Sequence, residues 1–272
     1  MKLLIAFTGF AAMACATFAQ IQIVNSGATG SSINLSSAYS QNFDTLANTA
    51  TNLNAWVDNS TLPGWYAYQN SSGGITSYRA NGPYQLASLG GNGASDRALG
   101  SGLDSGVGDA VSFGVQFQNS TASLITSLLV SFDGEQWWRG STPLGQTDSL
   151  NLSYQIFDPG QGAVSVFAGW TSVETLSFTS PITGFGTGPL DGNLAANRIA
   201  NINATITGFS VAPGQELWIR WTATNLEGIN DHTLAVDNLN VTFGSIPEPA
   251  TYGLVFAGLA ATVAVFRRRI RK

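Results

Sequence analysis

The chain has 272 residues, with eleven basic and sixteen acidic side chains and a formal net charge of −5. Five of the basic residues fall in the last six positions, so residues 20–245 carry five arginines and no lysine against fifteen acids, a balance of about −10. Such a body cannot neutralise phosphate, which excludes nucleic acid as a partner, while its content of aromatic and β-branched residues excludes a disordered chain.

The first nineteen residues run from Lys2 through the apolar stretch Leu3 to Ala14 to small residues around Thr17-Phe18-Ala19. That order is a secretory signal peptide, with signal peptidase expected to cut after Ala19. A lipoprotein-type cut before Cys15 is the alternative, disfavoured because Ala12-Met13-Ala14 lacks the leucine-like residue such sites carry. On the preferred cut the mature chain has no cysteine, which removes disulfides, thiolate metal sites and a cysteine nucleophile.

Residues 20–245 are read as one extracellular domain, because glycine and serine clusters are spread along it and no Pro-rich or charged linker divides it. Apolar residues alternate at Val111, Phe113, Val115 and Phe117; at Leu128, Val130 and Phe132; and at Leu150, Leu152, Tyr154 and Ile156. The sign repeats at Val164 and Val166, at Leu176 and Phe178, at Ile202, Ala204 and Ile206, at Leu217, Ile219 and Trp221, and at Leu239, Val241 and Phe243. A period of two places each set on one face of a strand. Asp133-Gly134, Asp158-Pro159-Gly160, Asp191-Gly192 and Pro213-Gly214 read as turns between them. Short strands with one apolar face each predict an all-β fold, an antiparallel β-sandwich with jelly-roll-like connectivity. A parallel β-helix is the structural rival, but no fixed-length repeat supports it.

Candidate chemistry in this domain is sparse. The sole histidine, His232, would have to serve any Ser-His-Asp site, yet no Gly-x-Ser-x-Gly elbow accompanies it; it reads as a turn residue leading into the last strand. Asp133 and Glu135 are the nearest carboxylate pair for glycosidic hydrolysis, but the expected turn at Asp133-Gly134 weakens them. The adjacent Trp137 and Trp138 point to opposite faces if extended, so one packs while the other is a candidate carbohydrate contact. Asp231, Asp237 and Asn238 offer hard oxygens to calcium, without the spacing of an EF-hand. No catalytic residue, metal site or cofactor is therefore expected.

At the far end stand Ile246-Pro247-Glu248-Pro249, an uncharged run from Thr251 to Phe266, and the basic end Arg267-Arg268-Arg269-Ile270-Arg271-Lys272. The run approaches the ~17–25 residues of a spanning helix. The cations of Arg267, Arg268, Arg269, Arg271 and Lys272 hold that end on the cytoplasmic side, with the body across the inner membrane.

This tail, residues 246–272, resembles the PEP-CTERM sorting domain, also catalogued as the ice-binding protein C-terminal domain. Pro247, Glu248 and Pro249 match its triplet, and Ile246 stands where valine is commonest. The resemblance implies a bacterial exported protein whose transmembrane helix is a transient anchor. The implied partner is an exosortase, a membrane cysteine transpeptidase that processes the tail, so these residues are its substrate. Two prolines keep the segment extended and remove two backbone donors, a shape a protease groove can read. Within the body, Phe43-Asp44-Thr45-Leu46, Leu62-Pro63-Gly64-Trp65, Asp96 to Ser101, Gly134-Glu135-Gln136-Trp137 and Asp231 to Asn238 are similar to segments of uncharacterised PEP-CTERM extracellular proteins. That likeness implies no activity.

The sequence thus predicts a non-enzymatic surface or matrix protein, anchored in the inner membrane as a precursor and then at the cell surface or outside, in contact with exopolysaccharide or biofilm. The alternative is a secreted carbohydrate-binding or polysaccharide-active β-sandwich.

Overall fold

Period-two patterning does dominate the structure, a computed structural model that describes residues 20–49, 53–70, 73–91, 93–103, 110–141, 147–183, 186–223 and 231–246. The segment read as a signal peptide (1–19) and the segment read as a sorting triplet, apolar run and basic end (247–272) lie outside the described residues. In the first half the strands are β1 (Ile21–Val24), β2 (Ser32–Asn34), β3 (Tyr39–Gln41), β4 (Leu53–Ala55), β5 (Trp65–Gln69), β6 (Gly73–Gly74), β7 (Ser77–Ala80), β8 (Ala87–Leu89) and β9 (Ala98–Ser101). Longer strands follow: β10 (Val111–Asn119), β11 (Leu124–Arg139), β12 (Ser149–Phe157), β13 (Thr171–Ser172), β14 (Phe178–Thr179), β15 (Gly188–Pro189), β16 (Arg198–Val211), β17 (Glu216–Ala223) and β18 (Thr233–Ile246).

Two sheets result. The first has the order β13-β12-β17-β10-β1-β2, with β5 also on β10, β6 on β5 and β14 on β12. The second has the order β15-β11-β18-β9-β8-β7-β4, with β16 also on β11 and β3 on β18. The expectation of purely antiparallel sheets is corrected: β1 runs parallel to both β10 and β2, and β7 runs parallel to β8. Only strands joined by a tight hairpin are forced antiparallel, and β1 meets β10 across most of a hundred residues of chain, so no hairpin sets its direction.

The inward faces carry the alternation seen in the sequence. Phe113, Val115 and Phe117 of β10, Leu217, Ile219 and Trp221 of β17, and Leu150 and Leu152 of β12 are buried against Leu128, Val130 and Phe132 of β11 and Leu239, Val241 and Phe243 of β18. Trp221 joins the layers: its ring stacks on Trp65 at 6.1 Å and on Phe113 at 6.1 Å, and meets Phe132 of the opposite sheet edge-on at 5.4 Å. Where β5 gives way to β1 along β10, Gly64 has φ +78 and lies so close to Ile21 that a Cβ would strike its side chain. A side chain there is excluded by both conformation and space.

Three readings of local structure change. Asp133-Gly134 is no turn but the middle of β11, where Gly134 presses on the Phe178 ring. Val164 and Val166 lie in a loop, and Leu176 closes a 3-10 turn, Glu174–Leu176. Along β18 the inward set Leu234 and Val236 is out of phase with Leu239, Val241 and Phe243. A register shift against β11, with Asn238 at φ +51, absorbs the extra residue. Ile246 still pairs with Leu124, so the last strand reaches the residue before the Pro-Glu-Pro triplet.

Candidate functional site

Because Trp65, Ala67 and Gln69 of β5 face inward, Tyr66 and Tyr68 are delivered to the outer face of the first sheet. The same alternation brings out Gln116 of β10 and Trp218 and Arg220 of β17, with Glu216 at the strand's start. The loop 158–170 lies over this face and leaves an open cleft of about 170 Å3, lined chiefly by Asp58, Tyr66, Tyr68, Gln116, Glu216, Trp218 and residues 160 and 162–165.

Glu216 fastens the cleft together. Its Oε2 accepts from Trp218 Nε1 at 2.9 Å, and its Oε1 accepts from Gly160 N at 2.8 Å and Gln20 Nε2 at 3.3 Å. Gly162 passes so close to the Trp218 indole and the Glu216 carboxylate that no Cβ fits. On the other side, Asp58 Oδ1 accepts from Trp56 Nε1 at 2.7 Å and Ala67 N at 3.0 Å. Tyr66 donates its hydroxyl to Gln116 Oε1 at 2.9 Å and tilts against Trp218 with ring centroids 4.7 Å apart.

The field of the cleft is negative. Desolvation, then Asp58 and Glu216, pushes the Tyr66 hydroxyl up to about 12. Burial also raises Asp58, against the opposing hydrogen bonds from Trp56 and Ala67. The neighbouring cation is spent elsewhere: Arg220 Nη1 donates to Val164 O and Val166 O, each at 2.9 Å, and the guanidinium lies 3.9 Å over the Trp170 ring. Burial lowers Arg220 to about 10. At the rim, Phe167 is 66% exposed and meets Tyr68 edge-on at 6.1 Å.

The residues singled out by sequence lie away from this cleft. Trp137 is 8% exposed, packs against Ala87, Leu89, Ala98 and Ala235, and donates to Glu135 Oε2 at 2.8 Å. Its indole is therefore not an open platform for a sugar. Trp138 is half-buried, beside Thr233 and Pro189. Asp133 and Glu135 do share a strand face, but Glu135 is 1% exposed, and burial, with Asp96 and Asp133 adding to it, lifts its carboxyl to about 7. Asp237 is 2% exposed and is lifted to about 8, by burial first and then by Glu135, Asp96 and Asp44. Among the described residues no group of three metal-binding side chains is close enough to hold an ion.

His232 does precede the last strand, but its contacts are long-range. Its Nδ1 accepts from Gly140 N at 2.9 Å, and its backbone N–H donates to Asp148 Oδ2 at 2.5 Å. The first bond leaves the ring proton on Nε2. Sequence reasoning missed the cleft itself; the alternation Trp65-Tyr66-Ala67-Tyr68-Gln69 was the available signal.

No protein-family model matches the chain, and no curated protein matches its sequence. Among solved structures it is similar to the carbohydrate-binding module TmCBM61, determined in complex with β-1,4-galactotriose, at 10% identity and a TM-score of 0.32, covering 66% of this chain and 88% of that one. It is also similar to the enzymatically active domain of tailspike protein 4 from bacteriophage CBA120, at 13% identity and a TM-score of 0.33, covering 66% of this chain and 19% of that one. The chain thus spans about a fifth of the tailspike chain's length. Likenesses of this degree assign no function.

Proposed function

We propose that this chain is an exported surface protein whose β-sandwich binds carbohydrate in the cleft between β5, β17 and the loop 158–170. The observation that carries the reading is the meeting, in one open cavity, of the rings of Tyr66, Tyr68 and Trp218 with fixed polar groups on Asp58 and Gln116, with the exposed Phe167 ring set against Tyr68 beside it. A sugar ring offers an apolar C–H face and a rim of hydroxyls, which aromatic faces and planar carboxylate or amide groups complement. At about 170 Å3 the cleft is smaller than the about 300–1,000 Å3 of an enclosed small-molecule pocket, which suits one unit of a longer polysaccharide. Binding is favoured over hydrolysis because Glu216 is held by three donors, whereas a glycosidase needs two carboxylates free to act on the bond. The test is titration of the full chain against a panel of oligosaccharides. Tyr66→Ala and Phe167→Ala should weaken binding by about tenfold or more, ~1.4 kcal/mol, with the fold intact; unchanged binding removes the cleft from consideration.

Delivery to the envelope is assigned to the two ends of the chain. Signal peptidase and an exosortase are the processing partners, and exopolysaccharide is the final one. In the native host, replacing Pro247, Glu248 and Pro249 together by alanine should change the size and location of the exported protein. An unaltered product would contradict exosortase sorting.

A further inference from the structure

The charge and hydrogen-bonding capacity of the cleft distinguish among sugars. Among the described residues its only charged lining groups are the carboxylates Asp58 and Glu216, and no arginine lines it. Glu216 is already engaged by Trp218, Gly160 and Gln20. Asp58 differs: both of its described donors, Trp56 Nε1 and Ala67 N, reach Oδ1, and the residue is exposed, which leaves Oδ2 toward solvent with no described donor. Tyr66 spends its proton on Gln116 Oε1, so its oxygen faces a ligand as an acceptor. Against these acceptors the described lining offers only neutral side-chain donors, namely Nε2 of Gln116 and Gln20 and the hydroxyls of Tyr68 and Ser165, and each hydroxyl can accept as well as donate.

Such an inventory is rich in acceptors and negative in sign. A uronate, sulfate or pyruvate ketal brings only acceptors and a negative charge, and its usual partner is a free arginine. The nearest arginine, Arg220, is turned to the carbonyls of Val164 and Val166 and to the Trp170 face. A neutral hydroxyl both donates and accepts, and gains nothing from the field. A protonated amine is a donor only and carries the complementary charge.

Resting on the carbohydrate-binding reading above, we propose that the cleft selects a sugar unit bearing a protonated amine, so that its ligand is a polysaccharide containing unacetylated amino sugars. Asp58 Oδ2 receives the ammonium, the Tyr66 oxygen accepts a second N–H, and the rings of Tyr68 and Phe167 hold the neighbouring apolar sugar face. Desolvation raises the Asp58 carboxyl, and a bound cation acts in the opposite direction.

Short oligosaccharides titrated into the full chain by calorimetry at pH 6 test this. The probes are glucosamine oligomers, their N-acetylated counterparts, neutral glucan oligomers and uronic-acid oligomers. Glucosamine oligomers should bind about tenfold or more tighter than the acetylated ones, with an affinity that falls as salt is added. Asp58→Asn keeps an oxygen for Trp56 and Ala67 and should abolish the preference, whereas Glu174→Gln, the same charge change at an exposed position of the loop region, should leave it in place. Equal or tighter binding of acetylated, neutral or uronic-acid oligomers overturns the inference but leaves the cleft reading standing if Tyr66→Ala removes that binding. A preference that survives Asp58→Asn, or that Glu174→Gln erodes equally, belongs to the acidic body as a whole and also overturns it. Absence of binding by every probe sinks both.

Discussion

Trp218 Nε1 donates to Glu216 Oε2 at 2.9 Å from two residues along β17, and the same spacing joins Trp137 to Glu135 at 2.8 Å and Trp56 to Asp58 at 2.7 Å. A buried indole N–H needs an acceptor, and a residue two positions away in extended chain lies on the same face. In the cleft this pairing does more, because Glu216 also accepts from Gly160 and so fixes the start of the covering loop. Glu216→Gln leaves one oxygen for three donors, and should lower stability by about 1–3 kcal/mol as read by urea denaturation. Gly162→Ala forces a methyl group into the Trp218 indole. It should cost about 1–3 kcal/mol by overpacking and shift the loop enough to lose sugar binding in the same titrations.

Glu135 and Asp237 make stability depend on pH. Their carboxyls, raised to about 7 and about 8 in the folded protein, ionise near 4 once the chain unfolds. Between those values the folded state binds more protons, so stability falls as pH rises through the window, by up to about 1.4 kcal/mol per pH unit for each group. Thermal melts from pH 5 to 8 should show a falling midpoint. Glu135→Gln and Asp237→Asn should each flatten that fall. A wild-type-like slope in both variants would mean that the pair does not titrate in this range.

His232 acts in the opposite direction. Burial lowers its pKa, Arg139 assists, and the Asp148 charge opposes. A histidine buried neutral must be charged on unfolding, so this residue contributes stability that is present above the unfolded value of about 6.5 and lost as pH falls below it. Imidazole nitrogen shifts should report the proton of the neutral ring on Nε2, because Nδ1 accepts from Gly140 N. His232→Ala should cost about 1–3 kcal/mol by stranding the Gly140 N–H.

The strands β10, β11, β12, β16, β17 and β18 were legible because they are long enough for alternation to be counted, and the sandwich follows from their one-sided apolar faces. Those before β10 span two to five residues, too short for a period to emerge. Asp133-Gly134 looked like a turn because the dipeptide favours one, whereas the glycine is there to admit the Phe178 ring. Trp137 and Trp138 drew attention by density alone, and the small side chains of Ala87, Ala98 and Ala235 on neighbouring strands turned Trp137 into a packed residue. The cleft stayed hidden because its parts, from Gln20 to Trp218, lie on distant segments that only sheet pairing brings together.

Arg220 tethers the loop 158–170 through two carbonyls and the face of Trp170, which itself donates Nε1 to Val166 O at 2.7 Å. The guanidinium is flat enough to stack while its Nη1 serves both carbonyls, and an ammonium cannot do both. Arg220→Lys should therefore fail to preserve the tether although the charge is kept. The side chain lies on the outer face, so the core around Trp221 stays packed and the melting midpoint should move by only a few degrees, in line with a loss of about 1 kcal/mol. Limited proteolysis should register the change, with cutting inside 158–170 rising by about an order of magnitude and sugar affinity falling alongside it. Unchanged cleavage with unchanged binding would show that Glu216, through Gly160, holds the loop without help from Arg220.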